Sequence, residues 1–287
     1  MANTEADPNA GQVEYWNSIG ARPWVTLQAR MDELFNPLTQ VALDLAAPQP
    51  GESAIDIGCG CGATVLELAR RVGPRGHVLG IDISEPMLAL ARQRIADAGY
   101  TQAELALADM SIFAFTQEDF DLAFSRFGVM FFNNPVAAFA NLRRALKQSG
   151  RLIFACFRTL AENPWVLAPF TAVKHLLPPS PPPGPEDPGQ FAFADPNRVR
   201  RILSEAGFSA ITFTKHDPVM VLAGPGAGAA HAAALSSQIG PAARALIGAP
   251  ETLKNAVREG LTATFRQYDG PNGITLPGAL WIVSARA

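Results

Sequence analysis

Asp56-Ile57-Gly58-Cys59-Gly60-Cys61-Gly62 is the stretch that decides the fold of this chain. It closes a short apolar run, Ser53–Ile57, and precedes Val65, Leu68, Ala69 and Val72, which fall at the i, i+3, i+4, i+7 spacing of one helical face. A strand therefore ends, glycines carry the backbone through angles closed to other residues, and a helix begins. Bare backbone at a helix N-terminus lets ligand atoms pack directly on the chain. A tight turn alone needs one glycine, or two. Three at every second position, with an acid two residues before the first, point to a ligand.

Working outward, the same alternation continues. Gly73-Pro74 ends the helix, His77–Ile83 reads as the next strand, and Ser84 as the cap of a helix with Glu85 and Pro86 in its first turn. Met87, Leu90, Ala91 and Ile95 make that helix's buried face, and Gly99 its left-handed stop. Leu105–Ala108, Leu122–Ser125 and Arg151–Phe157 read as further strands, with a helix opening after Pro135 and marked by Val136, Phe139, Leu142 and Leu146. Strands alternating with helices imply an α/β fold, a parallel sheet with helices on both faces. Further on, Asp195-Pro196 opens a helix that buries Val199, Ile202, Leu203 and Ala206 and closes at Gly207. Ile211–Thr214 and Leu280–Ala285 read as the last two strands. Between them an Ala/Gly-rich helical region precedes Leu253, Ala256, Val257, Gly260, Leu261, Thr264, Phe265 and Tyr268 at helical spacing. The run Pro178 to Pro185 is too rich in proline for regular helix or inner strand. The expected division is an N-terminal helical cover (1–50), a ligand-binding core (51–157), a lid insertion (158–194), a core continuation (195–223), a helical lid insertion (224–272) and the last core strand (273–287).

Composition bounds the function. With 287 residues, 48% hydrophobic and 17% charged, the chain folds around one large core or two modest ones. Twenty-three basic against twenty-six acidic residues give −3 without a long basic run, which argues against non-specific nucleic-acid binding. No stretch reaches the eighteen or so apolar residues of a membrane span, and Met1 to Gly11 is too polar for a signal peptide. The expectation is a soluble cytoplasmic protein. Three cysteines, Cys59, Cys61 and Cys156, are too few for a disulfide framework. The Cys-x-Cys pair lacks a second Cys or His pair, so no metal is expected.

Two acids extend the glycine stretch into a site. Asp82 ends the second strand, twenty positions after Gly62, where a carboxylate accepts from ribose hydroxyls; the plainer reading is a helix N-terminal acid beside Ser84. Asp109 ends the third, placed to accept from an adenine amino group while Met110 and Ile83 flank the ring; the plainer reading is a surface loop acid.

Here the chain resembles class I S-adenosylmethionine-dependent methyltransferases of the ubiquinone/menaquinone-biosynthesis-like (type 11) family. The carrying segments are residues 54–62, Gly80-Ile81-Asp82-Ile83-Ser84 with Met87, Ala108-Asp109-Met110, residues 124–132 (Phe124-Ser125-Arg126-Phe127-Gly128 onward) and Gly150-Arg151-Leu152-Ile153-Phe154. The resemblance implies a Rossmann-like seven-stranded sheet whose last strand is antiparallel, with S-adenosyl-L-methionine as cofactor. Gly58, Cys59, Gly60 and Gly62 would then hold its methionine part with Asp56, Asp82 its ribose, and Asp109 its adenine between Met110 and Ile83, with Met87 also on the cofactor side. Ser125, Arg126 and Phe127 would lie beside the sulfonium. Trp16, in a segment similar to the family's N-terminal cover, would close over the cofactor, and Arg30 would pair with its carboxylate.

The acceptor is left open by the family, because fold does not fix substrate. Apolar residues in the two insertions favour a small lipophilic or aromatic acceptor, with Phe131, Phe191, Phe193 and Phe265 as its lining; a homodimer interface would use similar residues. His175, His216 and His231 are candidate bases, each better explained as solvated or structural. Three rivals stay open: a nicotinamide oxidoreductase, a non-catalytic cofactor-binding subunit, and a transferase that moves another substituent of the same cofactor.

Overall fold

The computed structural model describes residues 9–115, 119–179, 181, 184 and 186–287. Met1 to Pro8 lie outside the described residues, as do Ser180, Pro182, Pro183 and Pro185 of the proline-rich run. In chain order the elements begin with α1 (Ala10–Trp16), α2 (Ala21–Thr26) and α3 (Gln28–Ala46). There follow β1 (Ser53–Ile57), α4 (Ala63–Val72), β2 (His77–Asp82), α5 (Glu85–Ala98), β3 (Ala103–Leu107), β4 (Phe120–Arg126), α6 (Pro135–Ala145) and β5 (Leu146–Phe157). Next come α7 (Pro164–Val173), α8 (Pro196–Glu205), β6 (Ser209–His216), β7 (Val219–Ala223), α9 (Gly228–Ser236), α10 (Gly240–Ala245) and α11 (Glu251–Phe265). The strands β8 (Asp269–Gly270), β9 (Gly273–Pro277) and β10 (Leu280–Arg286) complete the order.

The chain divides into two units, one of residues 1–156, 188–214 and 281–287, the other of 157–187 and 215–280. The first holds a seven-stranded sheet in the order β3-β2-β1-β4-β5-β10-β6. Its first five strands are parallel neighbours, and the last strand is antiparallel. β1 and β2 read as near-continuous apolar runs because both faces are covered: Ala54, Ile55, Ile57, Val78 and Ile81 are all buried. α4 buries Val65, Leu68, Ala69 and Val72, as its periodicity requires, and ends on Gly73. α8 is capped by the Asp195 carboxylate, which accepts from Asn197 N–H at 2.9 Å.

Three local expectations are corrected. On α5 Leu88, not Leu90, joins Met87, Ala91 and Ile95 in the core. Ser84 stands at the cap position of α5 without capping it, because its hydroxyl donates to the Trp16 carbonyl at 2.6 Å. The segments flanking the long helical stretch, assigned from the sequence to the core continuation (195–223) and the last core strand (273–287), pair with each other instead of joining the main sheet. β7 and β9 are antiparallel, and β8 joins β9 through the two-residue connection Pro271-Asn272, giving a separate three-stranded sheet in the second unit. In that unit Asn163 is fully buried; its amide donates to the carbonyls of Arg158, Thr159 and Ala279, and its oxygen accepts from Ala279 N–H and Trp165 Nε1–H. One side chain thereby ties the start of α7 to the turn after β9.

Candidate functional site

The site is built at one edge of the first unit's sheet. Parallel pairing in register, with Ile57 opposite Ile81 and Asp82 opposite Leu107, brings the carboxyl ends of β1, β2 and β3 level. Strand order runs outward from β1 through β2 to β3, then reverses to β4 and β5 on the other side. Loops diverge at such a reversal and leave a crevice at the carboxyl ends, the usual ligand position in open α/β sheets. The glycine stretch after β1 and the loop after β4 meet at that point. Gly58 has φ +65°, and a Cβ built on it would lie 2.6 Å from Gly128 Cα; a Cβ on Gly128 would lie 2.5 Å from the Ile57 carbonyl oxygen. Ser125 Oγ donates to that same carbonyl at 2.8 Å and accepts from Gly128 N–H at 3.2 Å. Phe127, between them, holds φ +67° although it is not glycine, and its ring packs edge-on to Phe35 at 5.3 Å. A side chain in that region is strained and persists where the surroundings dictate it.

The three acids sit in this frame. Asp56 is fully buried; its Oδ2 accepts from the Thr64 hydroxyl, and its Oδ1 has no hydrogen-bond partner among the described residues. Burial pushes its pKa up to about 7, opposed by the Thr64 bond and the positive charge of Arg126 and assisted by the negative charge of Asp82. A carboxylate oxygen left bare in the interior is costly, which marks a place for a donor. Asp82, 7% exposed, accepts from Gly60 N–H at 2.7 Å and Ser84 N–H at 2.9 Å, so it clamps the glycine stretch to the start of α5. Its pKa is raised by burial against those backbone donors. Asp109 Oδ1 accepts from Ser111 N–H and Oγ–H, both at 2.7 Å, and its Oδ2 from the Asn9 amide.

Basic residues secure the rim. Arg94 donates to the Cys61 carbonyl and to Asp32, each at 2.6 Å, tying the glycine stretch to α3. Arg126 donates to Thr39 Oγ1 at 3.0 Å and lies over the Phe35 ring at 5.8 Å. Burial lowers the Arg126 pKa, opposed by the carboxylates of Asp32 and Asp56. Burial likewise pushes the Cys61 thiol up to about 12 and raises the Cys59 thiol well above the ordinary thiol range, so neither is a ready nucleophile. All three cysteines are unpaired.

Residues 9–17 bond to loops along the same edge. Asn9 Oδ1 accepts from Asn133 N–H at 3.3 Å; Asn17 donates to the Ile83 carbonyl at 2.7 Å and accepts from Glu85 N–H at 2.9 Å. Trp16 packs edge-on to Phe131 at 5.1 Å. The edge thus collects Trp16, Asp56, Gly58, Cys59, Gly60, Gly62, Asp82, Ile83, Met87, Asp109, Met110, Ser125, Arg126, Phe127 and Phe131 in one unit. Arg30 is on α3, paired with Glu33 at 2.6 Å. Phe191 is half-buried; Phe193 is 1% exposed, with its ring 6.1 Å from both Phe139 and Phe154. Phe265, His175, His216 and His231 belong to the other unit. Asn9 and Gly128 also stand at this edge. No role was read for either from the sequence; Gly128 was visible as a glycine just past a strand within residues 124–132, and Asn17 as part of the N-terminal segment that resembles the family's cover.

The geometry is a glycine- and carboxylate-lined edge at the carboxyl ends of parallel strands, and comparison with known proteins places the chain in a family. Residues 48–207, more than half of the chain, match the family model described as a methyltransferase domain, and the chain belongs to that family. It is 37% identical over 120 residues to nocamycin O-methyltransferase of Saccharothrix syringae, a match covering 42% of this chain and 43% of that one. It is 30% identical over 158 residues to a ubiquinone/menaquinone biosynthesis C-methyltransferase of Bordetella parapertussis, covering 55% and 61%. The chain spans about half the length of the curated relatives it matches. Among solved structures it is similar to the Haemonchus contortus phosphoethanolamine N-methyltransferase 2 in complex with S-adenosyl-L-methionine, with a TM-score of 0.57 at 15% identity, covering 100% of this chain and 61% of that one. That likeness concerns the fold. Among the described residues no helix is long and apolar enough to cross a membrane.

Proposed function

We propose that the protein is an S-adenosyl-L-methionine-dependent methyltransferase acting on a small acceptor. The observation that carries this reading is the buried, unpartnered Oδ1 of Asp56 beside a glycine stretch whose neighbours are Asp82 and Asp109. When bound, the cofactor supplies a methyl group already made electrophilic by its sulfonium. Asp56 gives its free oxygen to the amino group, Asp82 accepts from the ribose hydroxyls on lone pairs its backbone donors leave open, and Asp109 accepts from the adenine amino group between Met110 and Ile83. Phe127 and Trp16 offer aromatic faces to the cation, worth roughly 0.5–2 kcal/mol. The chain's remaining task is alignment of nucleophile and methyl, which removes up to about 7–11 kcal/mol of barrier in favourable model systems.

A lipophilic or aromatic acceptor is part of the proposal, supported by the apolar composition of the segments outside the matched core. Three unpaired cysteines fit a reducing compartment, and we place the protein in the cytoplasm. Calorimetry with S-adenosylhomocysteine and NAD tests the cofactor: tight binding of the first is expected, and preference for NAD would overturn the reading. Labelled cofactor with a panel of phenols, quinols, amines and thiols then identifies the acceptor by mass. Asp82→Ala is expected to weaken S-adenosylhomocysteine binding by about 1.5–3 kcal/mol, the range for hydrogen bonds to charged groups, with the fold retained by circular dichroism. An unchanged affinity would return Asp82 to a purely structural role.

A further inference from the structure

Asn141, on α6, is 6% exposed, and its amide protons go to one loop. Nδ2 donates to the Met110 carbonyl at 2.9 Å and to the Phe113 carbonyl at 2.8 Å. Its oxygen accepts from Arg144 Nη2 at 2.9 Å, one turn on along the same helix, which fixes how the amide is turned. The loop from Ala108 to Phe115 is neither strand nor helix, so no ladder of its own holds those two carbonyls. Asp109 lies immediately before the anchored Met110, and Ser111, between the two anchored carbonyls, directs both its donors to Asp109 Oδ1. The carboxylate is therefore set from three sides: by Ser111 within the loop, by the Asn9 amide on Oδ2, and by Asn141 through the backbone from a neighbouring helix.

We propose that Asn141 is a positioning residue for purine recognition, and that it carries the site's preference for a 6-amino over a 6-oxo purine. The inference rests on the reading that this edge holds S-adenosyl-L-methionine. The chemistry is simple. An ionised carboxylate only accepts, so at hydrogen-bond distance it rewards the amino group of adenine and repels the carbonyl of hypoxanthine. That discrimination fades if the carboxylate moves out of reach. Asparagine suits the task because one side chain supplies two donors to two carbonyls; an aspartate of the same size supplies none.

The test is calorimetric binding of S-adenosylhomocysteine and S-inosylhomocysteine to the full chain, wild type, Asn141→Ala and Asn141→Asp, with thermal unfolding alongside. The wild type is expected to favour the adenosine ligand at least tenfold. Both variants should narrow that preference to threefold or less while affinity for the inosine ligand changes by less than threefold. A merely structural residue would shift the melting temperature and leave the ratio alone, and that result would overturn the proposal. Equal weakening of both ligands, or loss of the fold in both variants, would overturn it too. A wild type that binds the two ligands equally would remove the role of Asn141 but keep the cofactor site; one that binds neither would strike the site itself.

Discussion

Gly128→Ala should uncouple the glycine stretch from the loop after β4 and cost the protein most of its cofactor affinity. The added methyl would lie 2.5 Å from the Ile57 carbonyl oxygen and 2.8 Å from Gly58 Cα, both backbone atoms that cannot swing aside as a side-chain tip can. Gly128 itself has φ −77°, so the backbone angle suits alanine and the whole effect is collision. Overpacking of this kind costs about 1–3 kcal/mol, which at this chain length lowers the melting temperature by several degrees, roughly 2–4 °C for each kcal/mol. The larger loss is expected in S-adenosylhomocysteine binding, about a hundredfold, because Gly58 can retreat only by moving the cofactor-facing backbone. Gly99→Ala is the control: its φ is +71° but nothing lies within 4 Å of an added Cβ, so it brings strain without collision. Melting and titration curves that coincide for the two variants would show that backbone strain, not the contact at the strand reversal, governs the site.

Asp56→Asn is expected to act in opposite directions on stability and on binding. In the folded protein burial raises the Asp56 pKa from 3.8 to about 7, so between those values the folded state holds a proton that the unfolded chain has released. Stability then falls as pH rises through that window and levels off above 7. At 1.36 kcal/mol per unit, the charged carboxylate costs about 4 kcal/mol at pH 8, as an upper bound. Asparagine carries no such cost, so the variant should melt higher than wild type at pH 8 and close to it at pH 4. Binding shows the reverse. The wild type should hold S-adenosylhomocysteine more tightly as pH rises from 6 to 8, approaching tenfold per unit below 7, whereas the variant should bind at least tenfold more weakly at pH 8, with a flat profile. A wild-type profile without an inflection near 7, together with an unshifted melting point in the variant, would show that Asp56 does not titrate there.

What could be read beforehand follows from the range of the interactions. β1, the glycine stretch and α4 were legible because strand period, helix period and punctuation all lie within twenty residues and agree. The α8 cap was legible for the same reason: Asp195 and its N–H partner are two residues apart. Ser84 misled because its hydroxyl found a carbonyl 68 residues away, a competitor that no local pattern registers. Gly128 was visible as a glycine, but its reason is Gly58, placed against it by the pairing of β1 with β4. The small sheet was missed because β7 is only five residues long and alternates exposed and buried residues over its first four, and its partner β9 lies beyond three α-helices. On the lining residues, Phe193 looked like any other lid aromatic, yet its 1% exposure places it among Phe139 and Phe154.

The position of β10 between β5 and β6 has a consequence for how the protein is made. β6 has no route into the sheet except through β10, which is translated more than sixty residues later. Until the ribosome has delivered that strand, the nascent chain is expected to hold at most the five strands β1 to β5, with the β5 edge open and β6 unpaired. Pairings so distant in sequence form slowly, and open strand edges invite association with other chains. The growing polypeptide therefore passes through a sticky interval whose length is set by translation of residues 217–279. Slow codons within that stretch would prolong the interval and reduce the yield of soluble protein, whereas slow codons before β1 would leave it unaffected.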